Sequence, residues 1–543
     1  MKMQEFVLFW VLGGALVGVS MSLPAMDGYQ KNVQEGCRFS RYPSLCVETV
    51  IGSGSGHKRT DMISALVNKT LSETKHLTSY FTITTSQFES QLDAQRAQSI
   101  TDYCETLMGM SMKLLSQSQA ALAESPRKKK QDIQTWLSAS LTFQEACKDS
   151  TRGLNLPGNL MTQISKKMSY LSQLNSNQLA LVNAITGEPK SNKNTNRRLS
   201  DDDDEKKQSG NFFPKWVSPR NRKLLQATTT PIKANAVVAK DGSGNYVTIS
   251  EAIQAASGGR FVIYVKRGVY KEKIRTNKGG ITLIGDGKYA TVIVGDDSVA
   301  SGSTMPGSAT FTITGGNFIA RDIGFQNTAG PGGEQALALH IASDHSVLYR
   351  CSIVGYQDTL YALALRQFYR ECDIHGTIDF IFGNAVAVFQ GCNIMLRRPS
   401  GNSYNVILAN GRSDPGQNTG FSLQNCKISV TSEFSAVKTP YRTYLGRPWK
   451  EYSRSVVMES SIDDVIEPSG WVEWPGAQRS SLRTLYFSEY ANVGPGAGTG
   501  KRVNWPGFHV LATAEAEKFT VGNFIDGASW LPSTGVTFIS GLH

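Results

Sequence analysis

The chain has 543 residues, a net charge of +11, 40% hydrophobic and 19% charged residues. That length exceeds one ordinary core and predicts two or more domains. From Gln226 onward 28 Lys and Arg face 25 Asp and Glu, so the larger half lacks a concentrated basic face; this argues against nucleic acid as a partner and suits acidic polysaccharide.

Lys2, an apolar run from Phe6 to Val19 and the small and turn residues Ser22-Leu-Pro-Ala25 predict a secretory signal peptide over residues 1–25. An uncleaved signal anchor is the alternative, because Phe6 to Leu23 is barely long enough to span a bilayer. No later segment is, so no stable membrane partner is expected. Secretion lets all eight cysteines pair. There is no C-x-x-C to form a zinc cluster, and neither metal nor cofactor is expected.

Residues 31–187 read as an all-α four-helix bundle. Between Lys58 and Ser125 there is no Pro and one Gly, and apolar residues recur three and four apart. Ile133, Trp136, Leu137, Ser140 and Leu141 form one stripe of a further helix. Breaks near Ser125-Pro126 and Leu156-Pro-Gly158 separate antiparallel neighbours. Cys37 with Cys46 would staple a short hairpin, and Cys104 with Cys147 would tie two helices. Asn68-Lys-Thr70 is the one glycosylation sequon.

Residues 188–230 are a polar linker with the acidic run Asp201–Glu205. Two basic sites in it, Arg197-Arg198-Leu-Ser and Arg222-Lys223-Leu-Leu, are candidate protease cleavage points. Solvation alone is the simpler reading of such charges.

From residue 231 to 543 the texture changes to short β-branched runs, at 261–265, 281–284 and 291–294, broken by Gly, Asn and Asp. A frame of one apolar residue, Cys and Ile then repeats at Leu348/Cys351/Ile353, Tyr369/Cys372/Ile374, Phe389/Cys392/Ile394 and Leu423/Cys426/Ile428. Phe318/Arg321/Ile323 fits the same frame, with Arg in the Cys slot. Inward positions that repeat by coil predict a right-handed parallel β-helix. Stacked cysteines are close enough to pair where geometry permits, and Cys372 with Cys392 is the expected bridge.

Within this ladder C-x-I-x-G-x-x-D occurs twice, ending in Asp358 and Asp379, one coil apart. Stacked strands lie about 4.8 Å apart, which makes the two carboxylates neighbours on one wall. They cannot both ionise cheaply, so one is pushed to hold a proton. Gln335 lies 22 residues before Gln357, again about one coil. A phosphate-loop lookalike, Gly496-Ala-Gly-Thr-Gly-Lys501, lacks the required flanking residues, and no G-x-S-x-G supports a serine esterase.

These residues resemble the plant pectin methylesterase family. Its marks stand in order: Gly268-Val-Tyr-Lys-Glu272, Gln335-Ala-Leu-Ala-Leu339, Gly355-Tyr-Gln-Asp-Thr-Leu360, Asp379-Phe-Ile-Phe-Gly383 and Leu445-Gly-Arg-Pro-Trp449. The helical region resembles the inhibitor domain that precedes many such enzymes. The resemblance implies a carboxylic ester hydrolase acting on methyl-esterified homogalacturonan in the cell wall. Asp379 would be the nucleophile, Asp358 the general acid and then base, Gln335 and Gln357 the oxyanion donors, and Arg447 the partner of Asp379. Tyr361, Phe382 and Trp449 would line the sugar site. Inhibitor-domain proteins and a processing protease are further partners it implies. One departure is Ser303-Thr-Met-Pro-Gly307, where many members carry Thr-Thr-Phe, so no substrate contact is carried over there. The rival readings are a pectin backbone glycosidase on the same fold, which needs carboxylates about 5 Å or more apart and leaves the glutamines idle, and a non-catalytic inhibitor or wall-binding protein.

Overall fold

The computed structural model describes residues 23–54, 56, 58–77, 91–151, 160–185, 233–401, 403–436, 441–476 and 480–543. Most of the signal segment and the basic sites Arg197, Arg198, Arg222 and Lys223 lie outside them. Among the described residues no helix is long and apolar enough to cross a membrane.

The amino-terminal region is helical. A short pair, α1 (Leu23–Cys37) and α2 (Pro43–Gly52), precedes four longer helices: α3 (Arg59–Leu77), α4 (Gln91–Glu124), α5 (Lys130–Ser150) and α6 (Leu160–Asn183). Helix α3 packs on α4 and α6, and α5 packs on the same two, which closes a four-helix ring. Its core is the set of apolar residues spaced three and four apart, with Leu66, Leu115, Leu137, Leu141 and Leu174 all buried. Cys37–Cys46 staples α1 to α2, and Cys104–Cys147 ties α4 to α5, as the spacing predicts.

The carboxy-terminal region is a parallel β-helix of three sheets with 11, 7 and 8 strands. Strands Phe261–Val265, Ile281–Gly285 and Thr291–Gly295 occupy the predicted runs. The interior is a stack of equivalent side chains from successive coils, including Leu348, Tyr369, Phe389 and Leu423. Each coil turns its corner on a residue with positive φ just before the Cys slot: Arg350, Glu371, Gly391 and Asn425.

Two expectations need correction. The frame assigned to Phe318/Arg321/Ile323 is displaced by two residues, because Leu348 pairs with Ala320 and Ile353 with Phe325. The corner residue Asp322, also at positive φ, therefore aligns with Arg350 and puts Ile323 in the Cys slot. A shift of two keeps every side chain on the same face, so alternation alone does not detect it. The second correction is Cys372–Cys392: all four ladder cysteines are buried free thiols. In-register parallel neighbours project their Cβ atoms side by side at the strand spacing, too far apart for the Cβ–Cβ distance of a disulfide. Three of these thiols instead meet a backbone carbonyl of the preceding coil: Cys372 to Leu348 O (3.4 Å), Cys392 to Tyr369 O (3.6 Å) and Cys426 to Phe389 O (3.3 Å).

The seven-stranded sheet positions the candidate site. Its strands, in chain order, are β1 (Ile274–Thr276), β2 (Phe311–Ile313), β3 (Leu339–Ile341), β4 (Leu360–Ala362), β5 (Ile381–Gly383), β6 (Asn405–Asn410) and β7 (Thr443–Pro448). They lie in that spatial order and are all parallel.

Candidate active site

One outward-facing residue per strand forms a row across this sheet: Arg275, Thr312, His340, Tyr361, Phe382, Ala409 and Arg447. His340 stacks on Tyr361 (4.8 Å between centroids), Tyr361 on Phe382 (4.4 Å, planes 3° apart), and Trp449 meets Phe382 edge-on at 5.9 Å. The Trp449 ring lies over Gly411, where a Cβ would come within 2.7 Å of it.

Asp358 and Asp379 each stand two residues ahead of their strand, β4 and β5, which pair as Leu360 with Ile381. Asp358 N donates to Ile378 O (2.9 Å) across the two coils. Both aspartates adopt the left-handed conformation, with φ of 60° and 50°. The repeated motif requires its glycine because the turn folds back so tightly that a Cβ on Gly376 would meet Phe380 Cβ at 2.1 Å. Hence the C-x-I-x-G-x-x-D spacing carries the chain around a corner and delivers each carboxylate to one wall.

Gln335 joins the same wall through a register change. Ala338 and Leu339 both donate to Thr359 O, and Ala336 donates to Gln357 O, so the offset between coils grows from 21 to 22 residues. Gln335 thereby stands beside Gln357, and both are partly buried.

The two carboxylates differ in their neighbours. Arg447 donates from Nε to Asp379 Oδ1 (2.9 Å) and from Nη2 to Oδ2 (2.6 Å), a two-pronged pair. Among the described residues no such partner meets Asp358. Both are nearly inaccessible, at 8% and 5% exposure. Burial first, then repulsion from Asp379, raises the pKa of Asp358 well above the usual carboxylate range. Burial also raises Asp379, but Arg447 opposes it through charge and hydrogen bonds. Asp379 therefore ionises first and Asp358 keeps the shared proton.

Two residues that the motifs did not single out hold Arg447. Tyr404 Oη accepts from Nη1 (2.8 Å), and the Trp474 ring lies 4.3 Å below the guanidinium. Trp474 follows Trp471-Val-Glu, an aromatic cluster visible in the chain but with no period to tie it to the ladder. His375, a sequence neighbour of the aspartates, belongs to the eight-stranded sheet and faces Tyr289 Oη (3.3 Å).

The helical bundle is seated on this row. Tyr103 of α4 lies 6.1 Å from the His340 ring, and Leu107, Met108 and Phe143 share one apolar cluster with Tyr361, Leu363 and Phe382. Around it, Arg366 pairs with Asp132 (2.6 Å), Lys450 with Asp149 (2.6 Å), and Asp414 accepts from Ser176 Oγ (2.6 Å). Asn384 and Gln417 both donate to Thr142 Oγ1. The divergent 303–307 segment joins in, with Thr304 Oγ1 at 3.2 Å from Ser99 Oγ. Tyr361 and Phe382 are consequently buried in the intact chain.

Comparison with known proteins yields two family matches. The model for Pectinesterase matches residues 235–528, and that for Plant invertase/pectin methylesterase inhibitor matches residues 31–181. A probable pectinesterase/pectinesterase inhibitor 54 of Arabidopsis thaliana is 47% identical over 537 residues, covering 96% of each chain. Pectinesterase 2 of Citrus sinensis is 46% identical over 452 residues, covering 82% of this chain and 83% of the other. Among solved structures, pectin methylesterase from carrot is 50% identical, covers 58% of this chain and 100% of its own, and superposes with a TM-score of 0.56.

Proposed function

This chain belongs to the pectinesterase family, and on that premise we propose how its own residues remove methyl esters from homogalacturonan. It is a carboxylic ester hydrolase whose enzyme region follows an inhibitor-type helical domain. The observation that carries the mechanism is the asymmetry of the aspartate pair: Arg447 grips Asp379 and leaves Asp358 alone.

Asp379, held anionic and oriented, attacks the C6 carbonyl carbon of a methyl-esterified galacturonate. The carbonyl oxygen becomes an oxyanion that the amides of Gln335 and Gln357 stabilise. Neutral donors suit this task, since a further cation would retain the acidic product. As the tetrahedral species collapses, the C–OCH3 bond breaks and Asp358 gives its proton to the departing methoxide, releasing methanol. Asp358, now a carboxylate, takes a proton from water as that water attacks the acyl-enzyme. The Asp379–acyl bond breaks, leaving Asp379 as a carboxylate, Asp358 protonated and a galacturonic acid carboxyl that gives its proton to solvent. Tyr361, Phe382 and Trp449 supply flat faces for the sugar rings once they are uncovered.

The bundle's seat on the row supports a second element of the proposal: the uncleaved chain is restrained, and processing in the linker at Arg197-Arg198 or Arg222-Lys223 precedes activity. Secretion to the cell wall and glycosylation at Asn68, an exposed residue of α3, fit this course. Methanol release from esterified pectin, measured beside reducing-end formation, tests the reaction. Linker-cleaved protein freed of the bundle should release methanol without new reducing ends, and the intact chain far less. New reducing ends without methanol would sink the esterase reading in favour of backbone cleavage.

A further inference from the structure

The described charged side chains of the β-helix mostly find partners. Arg366 has Asp344 and Asp132, Arg502 has Glu489, and Arg397 has Glu433. Arg412, deeply buried, donates to the carbonyls of Gln417, Pro415 and Tyr452. Arg454 differs. Its backbone N–H is bonded to Asn410 Oδ1, but no carboxylate or acceptor among the described residues meets its guanidinium. Its stem is pinned across Gly420, with carbons at 2.9–3.2 Å from where a Cβ would sit there. Burial pulls its pKa down to about 10. A half-buried guanidinium with no anionic partner has lost part of its hydration and favours an anion that completes it.

Arg454 lines a cavity of about 650 Å³ at the seam between the bundle and the β-helix. Arg127, Lys128 and Lys130 enter it from the bundle, and Lys518 from the other side. Among the described lining residues the one carboxylate, Glu515, is already paired with Lys518 at 2.6 Å. Helix α5 begins here. Its cap residue Lys129 offers no side-chain acceptor, and the first backbone bond of the helix is Ile133 N to Lys129 O, so its leading N–H groups add positive potential. Tyr486, stacked on Phe519 at 5.5 Å, lends the same cavity an aromatic face.

We propose that this seam is a binding site for de-esterified galacturonan, with Arg454 taking one carboxylate and Arg127 and Lys128 another, so that the acidic polysaccharide bridges the two regions. Several cations beside an aromatic face fit an oligomer of carboxylate-bearing sugars better than one small anion, and the volume exceeds what a lone phosphate needs. The choice of ligand rests on the esterase reading above, because that reaction generates such carboxylates around the protein. The site exists only while the bundle is seated, so the acidic product binds and steadies the uncleaved form.

Titration calorimetry of the full chain with a fully de-esterified oligogalacturonate tests this while the bundle still covers the catalytic row. Binding should weaken about ten-fold or more in Arg454→Gln and several-fold in Arg127→Gln/Lys128→Gln, and should fall with added salt. The second variant alters exposed residues only, so its folding is not at stake. Unchanged affinity in both variants overturns the proposal. So does equal binding of the fully methyl-esterified oligomer, or displacement by inorganic phosphate at equal concentration, which means a generic anion site. Binding that appears only after Asp201–Glu205 is replaced by asparagines assigns the site to the chain's own acidic run and overturns it too. Methanol release from the linker-cleaved protein, run in parallel, separates failure of the esterase reading from failure of this one.

Discussion

The β-helix and the helical bundle are specified in different ways. In the β-helix each coil's neighbour is another copy of the same pattern, so the spacing that makes a strand also places it. In the bundle, α5 has two buried faces. The apolar stripe of Ile133, Leu137 and Leu141 packs within the bundle, whereas Asp132, Thr135, Ser138, Thr142 and Asp149 meet the β-helix. Apart from Phe143 and small alanines, the second face is polar and reads as solvent-facing surface until its partner is present. Periodicity therefore locates partners that repeat and misses a partner that does not.

That contrast can be broken or sharpened by substitution. The largest effect belongs to the repeated wall: Asp379→Asn in linker-cleaved protein should lower methanol release by at least about a thousand-fold. Pectin binding and bundle docking should survive it, and substantial residual turnover would refute the nucleophile. Arg447→Gln should cost about a hundred-fold or more and also move the pH profile. Activity needs Asp379 ionised and Asp358 protonated, so it falls in acid as Asp379 gains a proton and in alkali as Asp358 loses its own. Removing Arg447 takes away the influence that lowers Asp379, so the acid limb should shift to higher pH. A fixed acid limb would separate Arg447 from Asp379. Gln357→Ala should cost on the order of a hundred-fold in kcat with KM little changed.

On the non-repeating face the effects are smaller and of opposite sign. Thr142→Val removes the buried acceptor of the Asn384 amide, at a cost of about 1–3 kcal/mol, and one of the two acceptors of the Gln417 amide, which keeps Ser138 O. It should weaken bundle docking at least about ten-fold and raise the activity of the intact chain, leaving the separated enzyme region unaffected. If methanol release by the intact chain stays low, the bundle is not what restrains it. The last effect concerns sulfur and bears on stability alone. Reducing Cys104–Cys147 should destabilise the bundle by about 3 kcal/mol, while Cys372→Ala should cost the β-helix about 1 kcal/mol. Comparable losses in calorimetry would mean that Cys372 is cross-linked after all.

Much of the site was legible beforehand for a physical reason. Asp358 and Asp379 share a motif one coil apart, so their adjacency follows from the strand spacing alone. Gln335 beside Gln357 was legible as a 22-residue interval, although the register change that produces it, two N–H groups on the Thr359 carbonyl, was not. The frame around Phe318 slipped by two because alternation is blind to even shifts, and only the positive-φ corner at Asp322 resolves it. Tyr404 and Trp474 escaped notice because they contact Arg447 from loops that obey no repeat.

By itself the amino-acid sequence determined the helical and β-helical regions, the wall of two aspartates and two glutamines, and the two disulfides of the bundle. These depend on intervals along the chain, which folding preserves as coil spacing or helix turns. Only the tertiary structure decided that Cys372 and Cys392 run side by side without bonding, that α4 and α5 close over Tyr361 and Phe382, and that the Arg454 guanidinium meets no partner among the described residues. Each of these depends on directions and on contacts between residues hundreds of positions apart, and no interval in the chain records them.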